Sequence, residues 1–183
     1  MARYAAFLRG MNLGNRRLKN DELRSVFEKL DFDDVATFRA SGNVIFDAPT
    51  AKTKKAQGEL TARIEAALAD SLGYEVPVFL RSDAEVQAIA AAKPFKAKLV
   101  AASKGKLQVA FLLEKPVAAK AKKVLSLGTG EDRLAVIARE LYWLPSGGLS
   151  DSELDLSAIG AALGLTTMRT MGTVEQIAAK HCS

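Results

Sequence analysis

Apolar residues recur along the chain in short strand-like runs and at helical spacing, and the changes between the two mark out its elements. Arg3 to Leu8, "RYAAFL", reads as a strand. From Asn20 to Leu30 the residues Leu23, Val26, Phe27 and Leu30 share one helical face. Asn20 is placed to cap, and Asp21 and Glu22 suit the electropositive first turn. Val35 to Arg39 and Asn43 to Asp47 read as two strands joined through Ser41-Gly42. Thr53 to Leu72 carries Leu60, Ile64, Leu68 and Leu72 four apart, with Gly73 after its end. Val76 to Leu80 closes a β-α-β-β-α-β series, a ferredoxin-like unit.

Ser82 to Glu85 has the spacing of a capping box and opens a helix to about Ala92. "KPFKAKLVAASKGK" reads as a connection, on its proline, glycine and lysines. Leu107 to Leu113 is a strand, Val117 to Leu125 a short helix, and Leu134 to Ile137 with Leu141 to Leu144 a hairpin. A second capping box, Ser150 to Glu153, opens a helix to Leu163. A short strand, Leu165 to Met168, and a helix, Thr173 to Lys180, follow. The order of elements therefore repeats. The expected fold is α+β: tandem ferredoxin-like halves packed into one compact body with extra helices. The expected divisions are a first half over 1–82, a helix and connection over 83–105, and a second half over 106–183. Strands such as "YAAFL" and "LQVAFLL" are apolar on both faces, so both faces of each sheet should be covered.

Composition narrows the function classes. The chain has 183 residues, 49% hydrophobic and 26% charged, as a soluble globular protein does. No apolar run approaches the ~20 residues of a membrane span, and "MARYAAFLRG" lacks a signal-peptide core. Cys182 is the one cysteine, so no internal disulfide forms; a reducing, cytoplasmic location is expected. The one histidine, His181, sits beside it, which excludes a histidine triad or zinc site in the body of the chain. "HCS" reads either as a frayed end or as a metal-binding or reactive tail. The net charge of +5 is compatible with an acidic partner and demands none.

"FLRGMNLGN", the hairpin "TFRASGNVIF" and the late "TTMRTMGTV" together resemble the bacterial domain of unknown function 1697 family. That family shows Leu-Arg-Gly-Ile-Asn-Val-Gly, then Ser-Gly-Asn-Val-x-Phe, then Thr-x-Arg-Asn with a Thr-Val soon after. The resemblance implies two ferredoxin-like halves and no established activity. Its motif positions fall on Arg9, Gly10, Asn12 and Gly14, on Ser41, Gly42 and Asn43, and on Thr167, Arg169 and Thr173. Met11 and Leu13 replace β-branched residues, Thr170 stands in place of asparagine, and Met171 stands in place of an aromatic.

In this topology the first strand pairs with the third. The Arg9 to Asn15 loop and the Arg39 to Asn43 hairpin therefore meet at one sheet edge, with Glu75 near. Arg9, Asn12, Gly14, Ser41, Gly42 and Asn43 form the candidate site: a guanidinium, amides, a hydroxyl and approachable backbone N–H groups suit an anion or polar ligand. The loop is not a phosphate-binding Walker motif, because Gly10 and Gly14 are too close and Lys-Ser/Thr is missing. A structural reading stands beside this one: the amides tie loop to hairpin, and Arg9 pairs with Asp47 or Glu75.

Two other stretches carry chemistry. Lys93 to Lys123 holds nine lysines and one acid, Glu114, with Phe95 and Phe111 its only aromatics; it reads as a solvated surface or as a weak nucleic-acid stripe. Tyr142-Trp143 reads as a pocket wall, or as a strand with one ring in the core and the other half exposed. No nucleophile–base pair can be assembled by spacing, the aspartates at turns are explained by capping, and no carboxylate cluster has metal-ligand spacing. No cofactor is called for. The functional expectation is a small-molecule or anion binding or regulatory protein. An enzyme on a small polar or phosphorylated substrate is the alternative, and a weak nucleic-acid-associated protein a third.

Overall fold

The computed structural model describes residues 1–11 and 18–182. The chain divides into one unit over Met1–Gln87, joined by the C-terminal residues from Ile177, and a second over Ala88–Gln176.

In the first unit, β1 (Ala2–Leu8), α1 (Asn20–Glu28), β2 (Asp33–Thr37), β3 (Asn43–Ala48), α2 (Lys54–Leu72) and β4 (Val78–Ser82) follow in order. The sheet runs β2-β3-β1-β4, with β1 antiparallel to both neighbours. This is the ferredoxin-like order. Tyr4, Ala6, Leu8, Val44, Phe46 and Leu80 point to the helices and pack with Leu23 and Phe27 of α1 and Ile64 and Leu68 of α2. Period two sends Ala5, Phe7, Ile45 and Phe79 to the other face, and those are buried as well, none more than 2% exposed. Both faces are therefore covered, as the apolar alternates predict.

Local chemistry moves several boundaries. The cap of α1 is Lys19, one residue before Asn20, because Glu22 reaches back to accept from the Lys19 N–H at 3.0 Å. Thr53 caps α2 by accepting from the Ala56 N–H, and Gly73 ends it in the left-handed conformation. β4 begins two residues later than expected, since Pro77 has no N–H to give the ladder.

The second unit contains α4 (Ala97–Ala102), β5 (Gln108–Leu112), α5 (Ala118–Leu125), β6 (Arg133–Ile137), β7 (Glu140–Leu144), α6 (Leu156–Leu163) and β8 (Thr166–Thr170). Its sheet runs β6-β7-β5-β8, the same plait. Ala110, Val124, Leu141, Trp143 and Ile159 build its core. The expected capping box at Ser150 is not the start of α6. A 3-10 turn occupies Leu149–Asp151, and Asp155 caps the helix by accepting from the Ala158 N–H at 2.8 Å. α4 lies inside the segment read as a plain connection; its Ala-Lys-Leu core is helix-forming in spite of the flanking proline and glycine.

Each plait continues from its last strand directly into a helix, α3 (Asp83–Ala91) and α7 (Met171–His181). The two junctions match residue by residue. Arg81 lies opposite Ala5 of β1, and Arg169 opposite Val109 of β5; both arginines are buried. Ser82 and Thr170 follow as the last strand residues and bond into the first helical turn, through Glu85 and Thr173. Buried Val86 and Ile89 then recur at the same intervals as Val174 and Ile177. "RSDAEVQAI" and "RTMGTVEQI" are thus one motif used twice.

Candidate functional site

The candidate edge is built where β1 ends. The Leu8 N–H donates to the Gly42 carbonyl at 2.8 Å, and the Arg9 N–H donates to the Pro77 carbonyl at 3.1 Å. The end of β1, the β2–β3 turn and the approach to β4 therefore converge, as topology predicts. The turn needs unusual backbone: Arg39 has φ 58°, Gly42 72°, and Gly10 on the neighbouring segment 73°. Gly42 is required twice over, because a Cβ there would meet Met11 Sδ at 3.1 Å and Leu8 Cβ at 3.2 Å.

The predicted site residues divide. Arg9 and Ser41 are exposed at this edge, while Gly42 and Asn43 are buried. Asn43 directs its amide inward, donating to the Phe38 carbonyl at 2.8 Å and to Ser41 Oγ at 2.9 Å. That amide closes the turn. Asn12 and Gly14 lie outside the described residues.

Asp47 is set opposite Arg3 by the β1–β3 register, at the far end of the strand from Arg9. The Arg3 guanidinium holds it with a fork, Nε to Oδ1 at 2.9 Å and Nη2 to Oδ2 at 3.1 Å, and also contacts Asp34. Arg3 Nη1 donates to the His181 carbonyl at 3.0 Å, and the His181 ring meets Phe38 edge-on. Lys180 and Arg39 place cations over the same Phe38 ring, at 5.5 and 5.6 Å. The "HCS" tail is therefore not frayed at His181 and Cys182: α7 runs through His181, and the Cys182 N–H still donates to the Ala178 carbonyl. Burial lowers the His181 pKa, helped by the charge of Arg3. Burial, with Asp83 beside it, pushes the Cys182 thiol up to about 12.

The other candidates are placed plainly. Tyr142 and Trp143 are both buried, so neither ring is half exposed. Trp143 Nε1 donates to Asp132, a buried carboxylate that sequence reasoning missed; Thr129, three residues earlier in the same turn, was the available signal. The late motif spans β8 and the start of α7. Arg169 is buried, and its Nη1 donates to Thr167 Oγ1 and to the Met168 carbonyl. Burial lowers its pKa to about 10. Thr173 belongs to the α7 cap. The lysines from Lys93 to Lys123 are all exposed, whereas Phe111 is wholly buried and has no face to offer a base. Among the described residues no three His, Cys, Asp or Glu side chains gather as a metal site. No helix among them is long and apolar enough to cross a membrane.

The family described as Protein of unknown function (DUF1697) matches residues 1–142. The chain belongs to this DUF1697 family. No curated protein matches it. Among solved structures it is similar to the conserved bacterial protein SP0830 from Streptococcus pneumoniae, at 20% identity and a TM-score of 0.76. That likeness covers 98% of this chain and 97% of the other, and it shows the fold alone.

Proposed function

We propose that this is a cytoplasmic binding or regulatory protein that takes a small anionic or polar molecule at the edge formed by Arg9 and the Ser41 turn. The reading is supported by one observation above all: Arg9 stands exposed where β1 bonds to both Gly42 and Pro77, so its guanidinium is presented from a junction of three chain segments. A guanidinium carried at that junction can offer two parallel donors to a carboxylate or phosphate. Ser41 adds a hydroxyl from the same turn, and left-handed Gly10 lets the backbone come close.

The test is thermal unfolding of wild type, Arg9→Ala and Arg9→Lys, each with and without phosphate or a nucleotide. Ligand at a hundred times its Kd stabilises by about 2.7 kcal/mol. The expected pattern is a ligand-induced rise in Tm in wild type that is lost in Arg9→Ala and mostly lost in Arg9→Lys. Equal rises in all three proteins would refute the reading, as would a large fall in Tm of Arg9→Ala without ligand.

A further inference from the structure

Within the second unit, α4 stands over an open space. The helix buries none of its six residues, although Val100 turns inward. Beneath it lies a cavity of about 700 Å³, inside the roughly 300–1,000 Å³ range of small-molecule sites. Val100, Leu107 and Met171 give it apolar walls, and Lys93, Lys96 and Glu175 line it at solvent-exposed positions.

The cavity is held open from both sides. Its floor is tied where the Met171 N–H donates to the Leu107 carbonyl at 2.8 Å. The far end of α4 is tied too: Ser103 Oγ donates to the Pro145 carbonyl at 2.6 Å and accepts from the Gly105 N–H. Gly105 then passes so close to the next loop that a Cβ would meet the Gly147 carbonyl oxygen at 2.3 Å. Fastened this way, α4 stays over the cavity, and Val100 and Leu107, both only partly buried, leave apolar surface facing it. Uncovered apolar surface favours a guest by about 25 cal/mol per Å² buried.

We propose that this cavity binds a hydrophobic monocarboxylate, its hydrocarbon body against Val100, Leu107 and Met171 and its carboxylate between Lys93 and Lys96. The charge pattern selects the occupant. Two ammonium groups and one carboxylate leave the mouth with a single net positive charge, which one carboxylate satisfies. Glu175 repels a second negative charge, so a dicarboxylate or a phosphate ester is disfavoured. The chemistry also accounts for part of the lysine-rich stretch, whose first lysines flank an apolar slot.

The experiment is calorimetric titration of the full chain with decanoate, kept below its micelle-forming concentration. Parallel titrations use decanol, the ten-carbon dicarboxylate sebacate and decyltrimethylammonium. Saturable decanoate binding is expected, about tenfold or more weaker for each of the three comparison ligands. Ala101→Trp, at an exposed position lining the cavity, should abolish it. Lys93→Gln with Lys96→Gln should weaken decanoate about tenfold and leave decanol unchanged. Circular dichroism and Tm confirm that each variant is folded. No saturable binding, binding unaffected by Ala101→Trp, or decanol binding as tightly as decanoate would each overturn the proposal.

Discussion

The indole Nε1 of Trp143 donates to Asp132 Oδ1 at 2.9 Å, and both residues are buried. The same carboxylate accepts from the Ser146 N–H and hydroxyl, each at 3.2 Å, so one side chain ties the start of β6 to the end of β7. Asp132→Ala should therefore strand a buried indole N–H and lower stability by about 2–4 kcal/mol. Trp143 is the chain's one tryptophan, so the fluorescence of the native state should change as well. A Tm within a degree or two of wild type would show that this network contributes little.

The same carboxylate gives stability a pH dependence. Burial alone would raise its pKa, but hydrogen bonds from Trp143, Ser146 and Ser152 outweigh burial and hold it below the usual carboxylate range. A pKa depressed by folding gives stability that is present above the unfolded value, about 3.9, and is lost as pH falls through the folded one. The stability gap between wild type and Asp132→Asn should be constant from neutral pH to about 5 and should shrink below it. Urea titrations followed by Trp143 fluorescence measure this. Asp34 is also depressed, by Arg3, but it is present in both proteins and cancels in the difference.

Gly42→Ala tests the tightness of the turn. The substitution forces a Cβ into the left-handed region and against Met11 and Leu8. A loss of about 1–3 kcal/mol is expected. Gly58→Ala, in the body of α2 with nothing within 4 Å of its added Cβ, should instead stabilise by a few tenths to about 1 kcal/mol. Chemical denaturation of the two variants decides it: equal effects would mean that the turn geometry is not what makes Gly42 necessary.

Cys182 should be a slow thiol. With its pKa near 12 it is almost entirely protonated at pH 8, and the thiolate is the reactive form. Labelling with iodoacetamide should lag far behind a free cysteine peptide. Arg3→Ala removes the donor to the His181 carbonyl, so the end of α7 should open more often and labelling should accelerate. Rapid labelling of wild type, or no acceleration in the variant, would contradict this account of the tail.

The plait itself was legible because each strand and helix carries its own period. Leu60, Ile64 and Leu68 can only form one helical face, and "YAAFL" can only be a strand buried on both sides. What escaped the sequence depends on pairing at a distance or on competition between neighbours. Ser150 and Asp155 both offer caps, and the Asp155 carboxylate prevails by reaching the Ala158 N–H. The Arg9 and Ser41 edge was found from topology alone, but the inward aim of Asn43 was not, since a turn amide has the same letter whether it faces ligand or backbone. Asp132 resembled any other turn aspartate until Trp143 was placed against it.

Ser82 and Thr170 have a consequence for how the chain tolerates length changes. Each is the last residue of a strand and a partner of the first helical turn, so no spacer separates a two-residue period from a 3.6-residue one. One residue inserted after either position would rotate the helix that follows by about 100° about its axis. Val86 and Ile89, or Val174 and Ile177, would leave the interior together. The two junctions therefore act as phase locks: substitutions around them can accumulate, but insertions and deletions cannot, and related chains should vary in length in their loops rather than here.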